Sequence, residues 1–215
     1  MTDNTPLSRR FFIKQSLSKV TSIASEVVER KAAQKAKRWV RPPFAIPELD
    51  FLLACNRCGD CVSACPHEVV FALPVNRGVE VASTPALDVL NKGCHLCSDW
   101  PCVTACQTNA LSFSYGKNTD NVQDDDGADS SKEALSENMP EARACPSMAK
   151  ASINTAECMP YSGPECGACK GSCPIENTLV WHNEKPSIVQ ESCVGCGLCR
   201  EACITLPNAI DMRTY

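Results

Sequence analysis

Cysteine is the residue type in this 215-residue chain that could carry chemistry, and sixteen of its seventeen cysteines fall into four groups of nearly constant spacing. CNRCGDCVSACP supplies Cys55, Cys58, Cys61 and Cys65 ahead of Pro66. CHLCSDWPCVTAC supplies Cys94, Cys97, Cys102 and Cys106, with two extra residues before its third cysteine. CMPYSGPECGACKGSCP stretches the first gap to seven residues and supplies Cys158, Cys166, Cys169 and Cys173. CVGCGLCREAC returns to the tight spacing with Cys193, Cys196, Cys199 and Cys203, and Cys145 stands apart. Cysteine at this density serves disulfides, zinc or iron–sulfur clusters. A disulfide scaffold prefers an even count and a secretory leader, whereas this chain has an odd count and no apolar leader. A zinc ribbon pairs two CxxC knuckles across a loop into one tetrahedral site. A run of close ligands closed by a fourth three residues later, and repeated, does not follow that plan.

The run CxxCxxCxxxCP is the bacterial ferredoxin signature, in which three close cysteines wrap one corner of a [4Fe–4S] cube and the fourth ligates the neighbouring cluster. Soft thiolate sulfur suits an iron–sulfur core. Short CxxC steps bend the backbone so that peptide N–H groups can face the cluster sulfurs, and Gly59, Gly195 and Gly197 permit that approach. Crossed ligation pairs neighbouring clasps and predicts four [4Fe–4S] clusters. Cluster I takes Cys55, Cys58, Cys61 and Cys106, and cluster II takes Cys94, Cys97, Cys102 and Cys65. Cluster III takes Cys158, Cys166, Cys169 and Cys203, and cluster IV takes Cys193, Cys196, Cys199 and Cys173.

Each clasp needs elements to hold it. After every fourth cysteine comes a short polar stretch and then a strand-like apolar run: Val69–Leu73, Leu111–Tyr115, Leu179–Trp181 and Ala209–Met212. PALDVLNKGC and PSIVQESC, before the second and fourth clasps, share a proline and a β-prone pair. The expected fold is α+β: two bacterial 2[4Fe–4S] ferredoxin-like modules in tandem, at residues 44–115 and 151–215, with an N-terminal helix. Aromatics make up only 6% of the chain, so ligation must substitute for part of the missing core. Between the modules, residues 116–150 form an acidic, mobile linker, with eight Asp/Glu between Gly116 and Arg143. Residues 1–43 form a basic arm with ten Lys/Arg against three Asp/Glu, while residues 44–215 hold eleven against twenty-two. Ile13, Leu17, Val20, Ala24 and Val27 recur at helical spacing over 9–40, and Pro42–Pro43 end that pattern. Nucleic-acid reading elements are missing from the acidic body, so protein contact is the expected use of the arm. No run reaches the roughly 18 apolar residues that span a membrane, and no membrane span is expected.

No enzymatic constellation stands beside the clasps. Of three histidines, His67 and His95 adjoin cluster ligands, His182 follows a strand-like run, and nucleotide-binding glycine loops are missing. The expectation is an electron-transfer or maturation protein with no catalytic residue of its own.

SRR near the start, RPPF before the first clasp, CNRCGDCVSACP, the wide third clasp and the closing CVGCGLCREAC together resemble the NapF-like ferredoxin-type proteins of periplasmic nitrate reductase systems. The resemblance covers most of 39–113 and 155–215. It implies a cytoplasmic protein that binds a molybdenum-containing catalytic subunit of nitrate reductase type and assists its maturation before export, or supplies it with electrons. The second clasp, with Pro101 before Cys102, looks more like the NapG and MauM relatives. That likeness implies the alternative, an exported relay subunit of a respiratory chain that takes electrons from a redox donor protein. SRRFFIK has the form of a twin-arginine export address. Ser16, Ser18, Lys19, Thr21, Ser22 and Glu26 break the apolar stretch of ~7–15 residues that export requires. Cytoplasm is the expected location, with the periplasm as the alternative.

Overall fold

The computed structural model describes residues 39–114 and 145–214. The acidic run of the linker and the helix predicted over 9–40 lie outside the described residues, except for Trp39 and Val40, which are not helical because Val40 bridges Leu87. Helix α1 (Glu48–Ala54) starts after Pro47, carries Glu48 and Asp50 in its first turn where the positive end of the dipole favours them, and buries Phe51 completely. Four one-turn helices follow at the clasps: α2 (Asp60–Ser63), α3 (Pro101–Thr104), α4 (Met159–Ser162) and α5 (Leu198–Glu201). Among the described residues no helix is long and apolar enough to cross a membrane.

Among the described residues the strands are short and pair in twos. β1 (Val70–Ala72) runs antiparallel to β2 (Pro85–Leu87), with Val70 opposite Leu87. β4 (Leu179–His182) pairs with β5 (Lys185–Ile188) in the same way, and β3 (Lys150–Ile153) pairs with β6 (Ile210–Arg213). Three of the expected apolar runs therefore form strands. The run at 111–115 differs, because Leu111 makes only an isolated bridge to Ala45. Hydrogen bonds from Ile46 N–H to Ala110 and from Ser112 N–H to Phe44 flank that bridge. Phe44 takes a left-handed backbone (φ 59°), which turns the partner segment away before a longer ladder can form. The 44–46/110–112 contact and the β1–β2 pair in the first half thus correspond to β3–β6 and β4–β5 in the second.

The main core gathers Phe44, Phe51, Trp100, Val103 and Leu111 and continues without a break onto Ala149 and Cys196 from the second half. Phe44 packs edge-on against both Trp100 and Phe113, with ring centroids 5.0 Å apart in each pair, in the geometry that aromatic quadrupoles favour. A second core joins Ala151 and Ile210 to Cys169, Cys193 and Cys199. A third, around Trp39, Leu73, Val81 and Ala86, lies beside the Arg41 guanidinium. That guanidinium grips Glu48 in a fork, with Nε–Oε2 at 2.9 Å and Nη2–Oε1 at 2.6 Å. It also donates to the Thr84 hydroxyl and the Pro85 carbonyl, and lies 4.5 Å from the Phe51 ring centre. One cation of the basic arm is therefore a structural clamp.

Candidate iron–sulfur sites

The first, second and fourth clasps share one backbone device. Arg57, Leu96 and Gly195, each just before the second cysteine of its clasp, take left-handed φ values of 61°, 50° and 73°. The residue preceding the third-cysteine helix does likewise: Gly59 (φ 84°) before α2, Trp100 (φ 46°) before α3 and Gly197 (φ 83°) before α5. Such turns point successive N–H groups into a concavity that favours negative charge, as iron–sulfur clusters require. The helices then present Cys61, Cys102 and Cys199 as buried thiols. In the second clasp the two extra residues put Trp100 in the left-handed position that glycine fills elsewhere, and burial of its ring against Phe44 offsets the backbone cost. In the third clasp the seven-residue gap folds into α4, and the Tyr161 hydroxyl fastens it by donating to the Pro186 carbonyl at 2.8 Å.

Three sets of four cysteines each line one shared pocket. Cys65 lines one pocket together with Cys94, Cys97 and Cys102. Cys158, Cys166, Cys169 and Cys203 line another, and Cys173, Cys193, Cys196 and Cys199 a third. Around Cys61 stand Cys106, Cys55 and Cys58, whose fields add to burial in pushing its thiol up to about 11. Burial, followed by Cys94, Cys65 and Cys61, raises Cys102 to about 12. Burial, followed by Cys196, Cys193, Cys173 and Cys169, raises Cys199 to about 12. Thiolates crowded this way repel one another unless iron neutralises them. Among the described residues no three His, Cys, Asp or Glu side chains close on a point as a single metal ion needs. Each of three cysteine quartets lines one shared pocket, and soft thiolate sulfur in such sets suits an iron–sulfur core.

Several neighbours escaped the sequence reading. Cys203 Sγ lies 3.2 Å from the Thr205 hydroxyl, and Thr205 also accepts the Ala209 N–H at 2.9 Å, so the hydroxyl keeps its own proton to give to a thiolate at Cys203. Burial raises the Cys203 thiol, but this hydroxyl, the N–H groups of Thr205 and Ala209 and the Arg200 charge outweigh it and leave it lowered. The first half repeats the motif more loosely, with Cys106 Sγ 3.8 Å from the Thr108 hydroxyl and accepting the Leu111 N–H at 3.4 Å. The signal was present in the sequence as CQT and CIT, the same threonine two residues beyond the last cysteine of each half. His67 and His95 are more than ligand neighbours: their rings stack at 3.6 Å on the rim of the Cys65–Cys94 cavity. His182 ends β4 and is exposed. Cys145 is half-buried, donates to the Pro146 carbonyl, lines none of the three cysteine cavities, and has its thiol pushed up by burial and by Cys94, Cys196 and Cys102.

No family model matches the chain, and no solved structure does. Among curated proteins, the methylamine utilization ferredoxin-type protein MauM of Methylorubrum extorquens is 30% identical over 198 residues, covering 85% of this chain and 76% of that protein. This chain belongs to the ferredoxin-type family of MauM and NapG. The ferredoxin-type protein NapG of Haemophilus influenzae is 28% identical over 186 residues, 80% of this chain and 58% of that protein. The ferredoxin-type protein NapF of Escherichia coli is more distant, at 24% over 174 residues, 79% of this chain and 83% of that protein. The NapF-like expectation is thereby corrected within the ferredoxin-type family toward MauM and NapG, the direction in which Pro101 of the second clasp already pointed. As a MauM/NapG relative rich in cysteine, the chain is an iron–sulfur, ferredoxin-type electron-transfer protein.

Proposed function

We propose that this MauM/NapG relative is a relay subunit, built from two tandem ferredoxin-like modules, that passes electrons from a redox donor protein toward a respiratory enzyme complex. The observation that carries this reading is the crossed gathering of thiols, with Cys65 among Cys94, Cys97 and Cys102, and Cys203 among Cys158, Cys166 and Cys169. Four [4Fe–4S] clusters are proposed, with ligand sets Cys55/Cys58/Cys61/Cys106, Cys94/Cys97/Cys102/Cys65, Cys158/Cys166/Cys169/Cys203 and Cys193/Cys196/Cys199/Cys173. A bound cluster of this class supplies one-electron carriage at a potential set by its surroundings. The residues do the rest: the left-handed turns direct N–H groups inward, burial excludes water, and Thr205 directs a hydroxyl at the Cys203 sulfur.

Anaerobically prepared protein should contain about sixteen iron atoms and as much acid-labile sulfide. Zinc in place of iron would overturn the assignment. Cys65→Ala should remove the EPR signal of the cluster held by Cys94, Cys97 and Cys102 and spare that of Cys55, Cys58 and Cys61; the reverse pattern refutes crossed ligation.

The NapF likeness supports a second reading, in which the protein docks to a molybdoenzyme catalytic subunit of nitrate reductase type and assists its maturation. Adding the purified protein to an already mature reductase separates the two. Restored electron flow supports the relay, whereas an effect confined to cofactor content of the immature subunit supports maturation. A cytoplasmic location is proposed from the interrupted apolar stretch after SRRFFIK, and recovery of the cluster-bearing protein in a periplasmic fraction would reverse it.

A further inference from the structure

The two halves meet through the cysteine clasps themselves. The backbone N–H of Cys94 donates to the carbonyl of Cys196 at 2.7 Å, so one ligand residue of each half is hydrogen-bonded to the other. On either side of that bond the chains are pinned. Gly93 N–H donates to Glu201 Oε2 at 2.9 Å, and Arg200 Nε donates to the Leu90 carbonyl at 3.0 Å. The approach depends on glycine: a Cβ on Gly93 would stand 2.6 Å from Leu198 Cδ2 and 2.7 Å from Leu198 Cα. A Cβ on Gly197 would stand 3.0 Å from the Val89 carbonyl oxygen. Both bonded cysteines are buried, at 8% and 6% exposure, and the main core runs across the junction.

We infer that Gly93 and Glu201 are positioning residues that hold the Cys94 clasp against the Cys196 clasp, making the second and fourth cluster sites the contact between the two halves. The inference rests on the cluster reading above and deepens it. Two independent modules on a linker would leave the pairing of sites open, whereas this junction selects one pair. The first and third sites, with Cys58 and Cys158 in the outer clasps, contribute no ligand residue to it.

The test is magnetic. In the fully reduced full-length protein, each cluster is paramagnetic and broadens the EPR signal of a close neighbour. Cys199→Ser, which removes a ligand of the fourth site, should sharpen the signal of the second site and leave that of the first unchanged. Cys169→Ser, at the third site, should leave both signals of the first half unchanged. Gly93→Ala should keep its iron and lose a large part of the broadening between the second and fourth sites. Glu201→Ala should lose a smaller part, and Glu201→Gln, whose amide oxygen can still accept the Gly93 N–H, should restore it. If Gly93→Ala fails to fold, the Glu201 pair decides the matter, since Ala and Gln must differ in broadening at equal iron content. Unchanged second-site lines in Cys199→Ser, or equal broadening in Glu201→Ala and Glu201→Gln, overturns the inference. Absence of iron from the wild-type protein would instead overturn the cluster reading, so the two failures are distinguishable.

Discussion

Arg41→Met tests whether the clamp at the start of the first half carries the weight that its geometry assigns. The guanidinium makes two bonds to Glu48 and two to Thr84 and Pro85, and the Arg41 and Glu48 side chains are only 11% and 10% exposed. Methionine keeps the packing against Phe51 but leaves the Glu48 carboxylate buried without its partner. Breaking a buried pair from one side costs roughly 3–5 kcal/mol, because the remaining charge is uncompensated. Removing both charges costs much less, so Arg41→Met with Glu48→Leu should recover most of that loss. Unfolding in guanidinium chloride under anaerobic conditions, followed by far-UV circular dichroism and visible absorbance, should show the single variant's midpoint lowered by about 1 M, taking a slope of about 4 kcal/mol per M. Arg41→Lys should fall nearer to Met than to wild type, since a single ammonium cannot make the fork. A midpoint shift for Arg41→Met under about 0.2 M, or a double variant whose loss equals the sum of the singles, would refute the clamp.

Thr205→Val keeps the shape beside Cys203 and removes the hydroxyl that faces its sulfur. Losing a hydrogen bond worth ~1 kcal/mol to the more negative, reduced cluster should lower that cluster's potential by ~40 mV for one electron, read by EPR-monitored redox titration, and an unchanged potential counts against the contact. Burial holds Cys102 and Cys199 protonated up to about 12 and Cys61 up to about 11, so loading their sites with iron must expel protons. Retention of iron against a chelator should therefore weaken as pH falls from 8 to 6, and a pH-independent loss would contradict thiolate ligation. Because these pKa values are raised on folding from the ordinary 9.0, the same thiols stabilise the metal-free fold below pH 9. That contribution is lost as pH rises through 11 to 12, and a urea midpoint of the metal-free protein that holds steady above pH 9 would contradict the sign.

The clasps were legible in the sequence because their chemistry is local. A thiolate every third residue, a glycine or other residue forced left-handed between them, and a helical turn presenting the third cysteine are all decided within about a dozen positions. The crossed gathering of Cys65 and Cys203 with the neighbouring clasps follows from the same repeat. Strands β1, β4 and β6 were visible as apolar runs, but the run at Leu111 was not distinguishable from them. Its fate depends on the left-handed turn at Phe44, 67 positions away.

What only the tertiary structure decided lies between the repeats. RPPF could be counted as basic and helix-ending, but not as a clamp, because Arg41 finds Thr84 and Pro85 across a separation of more than 40 residues. Gly93 and Glu201 are 108 residues apart, and no periodicity links them. The sequence by itself determined which thiols stand together at cluster-binding spacing, since metal coordination demands particular atoms at particular spacings. It left open which cluster site of one half faces which site of the other, since that contact is made by backbone groups every residue possesses and by the absence of a Cβ where two chains meet.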